Sequence, residues 1–207
     1  MIPKTVLLLL ISCCLLSSGR LANRISAEEV IVKGAGATFP YLLYRKWIRV
    51  YSRKNQARIF YQPVGSGKGI AKLVTFEVCF GGTDAFISDR KCREIGREVL
   101  HLPTCLGAVV LLYNLPENPS LKFTPAVIRD IFMGRIRKWT DPRIRKINPE
   151  VRFPDTDISV VHRSDGSGTT FVFTNYLCAI SREWKEKIGS GKKVRWPLGM
   201  GVEKNSG

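Results

Sequence analysis

The sequence has few acidic residues and few histidines for its length. Its 207 residues include 17 aspartates and glutamates against 33 lysines and arginines, with two histidines, which gives a formal net charge of +16. This imbalance suits a polyanion, an anionic surface or an anionic solute as a partner. The composition is otherwise that of a folded protein, with 44% hydrophobic and 24% charged residues, and it allows one or two modest domains.

Several motifs of nucleotide-binding and catalytic proteins are missing. Residues 34–39 match only the first part of GxGxxG, and no GxxxxGK[ST] is present. Ser167 lies in Asp-Gly-Ser-Gly rather than in GxSxG, and His101 and His162 have no clear partners for a catalytic triad. These absences disfavour a hydrolase, so we predict no catalytic residues.

Cysteines are also sparse outside the first 27 residues. Those that remain are Cys79, Cys92, Cys105 and Cys178. They are far apart and lack CxxC spacing, which disfavours a zinc cluster, and we expect neither a metal nor another cofactor. Four cysteines allow three full pairings. One or two disulfides in an oxidising compartment and buried free thiols therefore both remain open.

No apolar run reaches the roughly 20 residues that a membrane-spanning helix needs. The run 5–18 follows Lys4 and is closed by small residues, which is the layout of a secretory signal peptide. We expect residues 1–27 to be a signal peptide and leader, cleaved near Gly19 or shortly beyond. The mature protein would then be periplasmic or secreted. Residues 10–13 also resemble a bacterial lipobox, in which Cys13 would carry lipid.

Strand, glycine loop and helix follow one another three times along the chain. The three units are predicted at 29–33, 34–40 and 41–54; at 57–64, 65–69 and 70–77; and at 158–162, 163–169 and 170–180. The continuous apolar run 108–113 suits a buried strand, and 125–133 suits a short helix. This alternation predicts α/β structure with mostly parallel sheets.

The three glycine loops share one physical property. A helix N-terminus leaves backbone N–H groups unpaired and carries a partial positive charge, and small residues let an anion approach the backbone closely. The hydroxyls of Thr38, Ser66, Ser167 and Thr169 add hydrogen-bond donors. One such loop is common in proteins of many functions, whereas three in one chain indicate an anion site.

Five segments carry a resemblance to a known family. They are GAGATFP at 34–40, GSG at 65–67, FGGTDA at 80–85, IFMGRIRKW at 131–139 and RSDGSGT at 163–169. In this order they resemble the periplasmic phosphate-binding proteins of phosphate-specific ABC transporters, from about Val30 to the end of the chain. The resemblance implies a two-lobed α/β fold of the periplasmic-binding-protein type, with the first lobe at 28–103 and the second at 104–207. Family members continue well beyond the position matching Gly207, so we expect the second lobe to be incomplete and stability and affinity to be low.

The resemblance also implies a set of phosphate ligands. They are Thr38, Phe39, Ser66, Asp84, Arg163, Ser167, Gly168 and Thr169, with Asp165 orienting Arg163. An arginine offers phosphate a planar fork of donors and keeps its charge. Asp84 would accept a hydrogen bond from the proton that phosphate carries and sulfate lacks. Lys68 and His162 depart from the family pattern, which usually has a small residue and a second arginine there.

We therefore expect a phosphate receptor that makes and breaks no bond, with an ABC transporter permease as a further partner. A monomer without specific nucleic-acid binding is expected. The alternatives are an extracellular polyanion-binding protein, a phosphatase-like enzyme and a receptor remnant without function. A basic cluster suits either polyanion binding or an ordinary solvated face. It consists of Arg129, Arg135, Arg137, Lys138, Arg143, Arg145 and Lys146.

Overall fold

The computed structural model describes residues 30–96 and 98–205, so the predicted leader and the lipid site proposed at Cys13 lie outside the described residues. The first sheet has three strands in the order β2-β1-β3. They are Val30–Gly36 (β1), Ala57–Pro63 (β2) and Phe80–Gly82 (β3). β1 and β3 run parallel, with Gly34 beside Phe80 and Gly36 beside Gly82.

β1 continues through glycines that the sequence assigned to a loop. A Cβ at Gly34 would overlap the ring of Phe80, so the absent side chain lets β3 pair closely with this part of β1. The first glycine loop is therefore shorter than predicted, because a strand from farther along the chain extends β1 into it.

Two helices follow the first two strands, Tyr41–Lys54 (α1) and Ser66–Val74 (α2). α1 has the predicted bounds, with Pro40 immediately before it. α2 begins four residues earlier than predicted. Gly65 turns the chain at φ 89°, and the Gly69 N–H donates to the Gly65 carbonyl at 3.0 Å. Most of the second glycine loop is thus the first turn of a helix.

The apolar run 108–113 is not a strand, and that prediction is wrong. After the short helix Asp89–Ile95 (α3), residues 98–115 form no helix or strand. Val110 is 66% exposed and Leu112 is 91% exposed. No strand among the described residues lies beside this run to pair with its backbone and cover its side chains, so apolar composition alone does not bury it.

The remaining elements form a second group. They are Pro125–Phe132 (α4), Pro142–Ile147 (α5), Val161–Arg163 (β4), Gly168–Ile180 (α6), Arg182–Lys187 (α7) and Met200–Val202 (β5). β4 and β5 pair in parallel, with Arg163 beside Val202. β4 is shorter than predicted because the Ile158 N–H bonds elsewhere, to the Arg137 carbonyl at 2.6 Å.

Polar caps fix where these helices begin. The side chains of Thr124, Asp141, Ser167 and Ser181 each accept a backbone N–H of the first turn. For α6, the Thr170 N–H donates to Ser167 Oγ at 3.2 Å. α6 therefore starts at Gly168, two residues before the predicted start, and the third glycine loop ends there.

The main core lies in the second group of elements. Val127, Ile131, Ile136, Ile144 and Val160 are all buried and pack together. The parallel pairs and alternating helices confirm the predicted α/β class. The lobe boundary between residues 103 and 104 stays a prediction, since the described residues from Ile31 onward belong to one compact unit.

The structure also bears on the membrane and disulfide predictions. Across residues 30–96 and 98–205, no helix is long and apolar enough to cross a bilayer. Cys79, Cys92, Cys105 and Cys178 are all free thiols; Cys79 is exposed and the others are half-buried. All four cysteines are therefore unpaired. None of them is fully buried, however, so the expectation of buried thiols is met only in part.

Candidate functional site

The three glycine loops meet at one place, backbone against backbone. The Gly65 N–H donates to the Gly36 carbonyl at 2.9 Å, which joins the second loop to the first. The Gly67 N–H donates to the Gly166 carbonyl at 2.8 Å, which joins the second loop to the third. The structure thus brings together loops that are far apart in sequence.

This close approach depends on glycine. A Cβ at Gly69 would overlap the Cα of Gly36, and a Cβ at Gly67 would lie 3.0 Å from the Cα of Gly166. Gly65, which also needs a positive φ, would bring a Cβ to 2.7 Å from Asp165 Oδ2. Side chains at these positions would push the loops apart.

Asp84 lies where the N-termini of α2 and α6 approach each other. Its backbone N–H donates to Ser66 Oγ, the first residue of α2, at 3.5 Å. Its carboxylate lies against Gly168, the first residue of α6, where a Cβ would overlap Oδ2. The first four N–H groups of a helix have no partner within the helix. A carboxylate acceptor and two helix N-termini therefore face one small region.

Burial raises the pKa of the half-buried Asp84 carboxyl, while the charge of Arg163 opposes that rise. Nearby, Tyr61 donates its hydroxyl proton to the Ala37 carbonyl at 2.9 Å. The pKa of Tyr61 is also raised, first by burial and then by the charges of Tyr44 and Asp84. The surroundings of Asp84 thus disfavour its charged form, and they favour a ligand that donates a hydrogen bond to it.

Arg163 is held in a planar ion pair with Asp165. Its Nε donates to Asp165 Oδ1 at 2.6 Å and its Nη2 to Oδ2 at 2.5 Å. Both side chains are nearly buried, at 11% and 5% exposure. Burial alone would raise the pKa of Asp165, but the hydrogen bonds and charge of Arg163, with the Lys204 backbone N–H, hold that pKa below its ordinary value.

The predicted site residues fall into three groups in the structure. In the first group, contacts join Ser66 to Asp84, Asp84 to Gly168 and Arg163 to Asp165, and Ser167 directly precedes Gly168 as the cap of α6. Phe39 and Thr169 line the same cleft of about 1790 Å³ as Asp84 and Arg163. Thr38 is half-buried and follows Ala37, whose N–H donates to the Gly82 carbonyl at 2.8 Å. The ligand roles of all these residues stay predictions.

Two of the predicted residues carry features that the sequence did not indicate. The Phe39 side chain is 46% exposed and turns towards Gly107, where a Cβ would overlap its ring, so only its backbone can serve an anion. The Ser167 hydroxyl already accepts from the Thr170 N–H as the cap of α6. It keeps its own proton to donate.

The two departures from the family pattern take different positions. Lys68 is exposed on the first turn of α2. His162 stacks on Trp196 with ring centroids 4.9 Å apart, and its Nδ1 lies 3.1 Å from the Arg163 carbonyl. His162 therefore packs behind Arg163 as part of an aromatic group.

Much of the basic cluster belongs to an ion-pair network within the protein. Asp130, whose side chain is only 9% exposed, accepts hydrogen bonds from Arg129 Nε at 2.8 Å, Arg143 Nη1 at 3.1 Å and Arg135 Nη1 at 3.4 Å. Arg135 also pairs with Glu183 at 2.5 Å. These contacts favour a structural role for the cluster over the binding of a polyanion.

Sequence reasoning missed one part of the site, the turn at Lys204 and Asn205. The Lys204 N–H donates to Asp165 Oδ1 at 3.2 Å, and the Asn205 side chain accepts from Arg163 Nη1. Asn205 is 42 residues from Arg163. The sequence at 199–207 is notable only for its glycines, so no local pattern predicted this contact.

Comparison with known proteins identifies similar chains. The matching family is described as the PBP superfamily domain, and the match covers residues 22–202. The "Phosphate-binding protein PstS" of Pasteurella multocida is 42% identical over 185 residues, which are 88% of this chain and 53% of that protein. The protein of the same name from Methanocaldococcus jannaschii is 38% identical over 222 residues, covering 96% of this chain and 57% of that protein.

A solved structure from Clostridium perfringens is similar in fold, with a TM-score of 0.51 and 22% identity. The match covers 70% of this chain and 55% of the other. That protein is described as a putative phosphate ABC transporter substrate-binding protein with bound phosphate. This chain spans about half the length of the curated relatives it matches.

Proposed function

Because the chain belongs to the PBP superfamily, we propose that it binds inorganic phosphate where its three glycine loops meet, as an extracytoplasmic solute receptor. The observation that carries the proposal is that Asp84 and Arg163 lie close enough for the charge of Arg163 to act on the Asp84 carboxyl. A half-buried carboxylate with a raised pKa lies at the N-termini of α2 and α6, and a nearly buried guanidinium lies beside Gly65, which precedes α2. Acceptor and donors together suit an anion that still carries a proton.

Each proposed ligand has a physical reason. The guanidinium of Arg163 supplies charge and a planar set of donors, held by Asp165. Hydroxyl groups and backbone N–H groups supply the remaining donors. They come from Thr38, Phe39, Ser66, Ser167, Gly168 and Thr169. Asp84 accepts a hydrogen bond from the protonated oxygen of phosphate.

Selectivity against sulfate follows from Asp84. Phosphate near neutral pH carries at least one proton, so one of its oxygens can donate a hydrogen bond to the carboxylate. Sulfate has none, so the same carboxylate would repel it and lose a hydrogen-bond partner. The site would then discriminate against sulfate, because Asp84 has the same sign of charge as sulfate and would receive no hydrogen bond from it.

The proposed activity is capture without reaction. In this account the chain makes and breaks no bond, and it hands phosphate to the permease of an ABC transporter on the outer side of the cytoplasmic membrane. The names of the Pasteurella and Methanocaldococcus relatives and the bound phosphate of the Clostridium protein support this choice of ligand.

The test is calorimetric titration of the purified chain with phosphate and with sulfate, in buffers free of both. We expect phosphate to bind without added metal. In Asp84→Asn the ratio of the two affinities should narrow by about tenfold, the scale set by one buried unpaired polar group. Asp89→Asn, on the exposed start of α3, is the matched control and should leave the ratio unchanged. Absence of phosphate binding in protein that is folded by circular dichroism would exclude the proposal.

A further inference from the structure

The guanidinium of Arg163 has a protein partner at each of its three nitrogens. Nε and Nη2 donate to the two carboxylate oxygens of Asp165, and Nη1 donates to Asn205 Oδ1. An arginine has five N–H donors, so two remain for a ligand. The group that would carry the site's positive charge is therefore held on two sides by other groups of the protein.

The partner on the second side is itself fixed in place. β5 pairs with β4 so that Val202 lies beside Arg163, and the Ser164 N–H donates to the Val202 carbonyl at 2.9 Å. The chain then turns at Lys204, which adopts a left-handed φ of 60° while its N–H donates to Asp165 Oδ1. The turn thus contacts both members of the Arg163–Asp165 pair.

A single ion pair leaves a guanidinium some freedom. The Asp165 edge fixes the plane of Arg163 but still permits rocking about that edge, which would move Nη1 and the remaining donors. A bond at Nη1 removes this motion. Holding a donor group in its binding orientation beforehand lowers the entropy that is lost when the ligand binds.

The chemistry of asparagine suits this position. Its amide oxygen accepts from Nη1 without adding a negative charge beside the anion site. An aspartate would hold Arg163 more strongly but would repel phosphate and neutralise part of the charge that attracts it. A neutral acceptor is thus the type of side chain that orients Arg163 and leaves its charge available.

We propose that Asn205 is a positioning residue for anion binding, which fixes the orientation of Arg163 from the turn after β5. This inference rests on the proposed function for its ligand. The contact joins two side chains of the protein, so its effect on Arg163 can be measured with and without phosphate.

The experiment compares three variants of the full chain, Asn205→Ala, Asn205→Asp and the control Asn175→Ala, which changes an exposed asparagine on α6. Calorimetry gives the phosphate affinity. Nitrogen-15 NMR of the arginine side chains in phosphate-free buffer reports how slowly the Arg163 guanidinium rotates. Circular dichroism checks that each variant is folded.

We expect Asn205→Ala to weaken phosphate binding about tenfold, the scale of one hydrogen bond to a charged group, and to let the Nη groups of Arg163 rotate faster. Asn205→Asp should restore slow rotation without restoring affinity, which a merely structural role would not produce. Asn175→Ala should match the wild-type chain in both measurements.

Two results would overturn the inference while leaving phosphate binding intact. One is an Asn205→Ala variant that binds phosphate like the wild-type chain; the other is unchanged rotation of Arg163 in that variant. If the wild-type chain binds no phosphate, the proposed function fails instead. The rotation measurement then decides by itself whether Asn205 holds Arg163.

Discussion

Residues 31–112 and residues 113–205 bury their apolar side chains very differently. In the second region Trp184, Ile144 and Leu177 are completely buried. In the first, the buried apolar side chains are mostly alanines, while Leu106 is 98% exposed and Phe86 is 75% exposed. Of the exposed large hydrophobic side chains from Ile31 onward, only Val161, Val172, Tyr176 and Met200 belong to the second region.

This difference separates what makes the fold stable from what forms the site. Large exposed apolar patches mark interaction surfaces or aggregation-prone ones, whereas dense cores supply folding free energy. The anion site takes Ser66 and Asp84 from the first region and Arg163 and Ser167 from the second. Its geometry therefore relies on a well-packed region and a thinly packed one together.

The largest expected effect compares two tryptophans, one from each region. Trp184→Ala removes a fully buried ring whose Nε1 donates to the Gly189 carbonyl at 3.0 Å, and it should lower the free energy of unfolding by about 3–5 kcal/mol. Trp47→Ala, at a ring that is 46% exposed, should lower it by about 1 kcal/mol. Urea unfolding measures both, and equal losses would show that the two regions are packed alike.

The next effect concerns the ion-pair network of the second region. Asp130→Asn leaves three arginines with a weaker acceptor, and we expect a loss of about 2 kcal/mol at pH 7, limited because those arginines remain in contact with solvent. Asp155→Asn changes an exposed carboxylate that pairs with Lys138 and is the matched control. It should leave the unfolding curve almost unchanged. A loss as large in the control would mean that burial of Asp130 has no bearing on its effect.

Lowering the pH should change the stability contributions of Asp84, in the first region, and Asp130, in the second, in opposite directions. Burial raises the pKa of Asp84, so its folded-state contribution to stability is present below the unfolded value of 3.8 and is lost as pH rises through the folded pKa. The hydrogen bond from Arg129, with the charges around it, lowers the pKa of Asp130 despite burial. Its contribution is therefore present above 3.8 and is lost as pH falls through the folded pKa.

From this we expect Asp84→Asn to raise the melting temperature at pH 7 in phosphate-free buffer, with the gain vanishing as pH falls below 3.8. The loss caused by Asp130→Asn should also fade, but only in still stronger acid. Melting curves from pH 8 down to about pH 2 measure both. A gain in Asp84→Asn that grows towards acid would contradict the assigned direction of its pKa.

The smallest expected effect is at the most exposed leucine. Leu106→Ser removes an apolar side chain that is 98% exposed, so the free energy of unfolding should change by less than about 0.5 kcal/mol. Binding of a hydrophobic dye to the folded protein should fall, because the exposed apolar surface is reduced. Leu177→Ser, at a fully buried site, is the contrasting variant. A large loss of stability in Leu106→Ser would mean that this leucine is packed in solution.

The sequence predicted the elements whose signals are local. α1 after Pro40, α4 after Thr124 and the strand at 57–63 all agree closely with the pattern of glycine, proline and apolar residues. The exposed run 108–113 could not be predicted in this way. Apolar composition shows that a segment favours burial, but a strand forms only if a neighbouring strand is available to pair with it.

The site was predicted to a similar extent and for similar reasons. Ser66 could be named from its glycine loop, whereas Asp84 and Arg163 were named through the family resemblance, and the structure brings the three together. The contact from Asn205 to Arg163 could not be named, because it depends on the parallel register of β4 and β5. Pairing register is set by distant parts of the chain, and a single sequence does not reveal it.

The backbone contact between Gly36 and Gly69 also bears on how this protein can change over evolutionary time. Residues that touch an anion can often be exchanged for another donor, since hydroxyl, amide and backbone groups are partly equivalent. A glycine that lets two main chains touch has no such substitute, because every other residue adds at least one carbon at the point of contact. During evolution the positions of these glycines should therefore change more slowly than the side chains around them. In this chain the shape of the site therefore depends on the positions that carry no side chain.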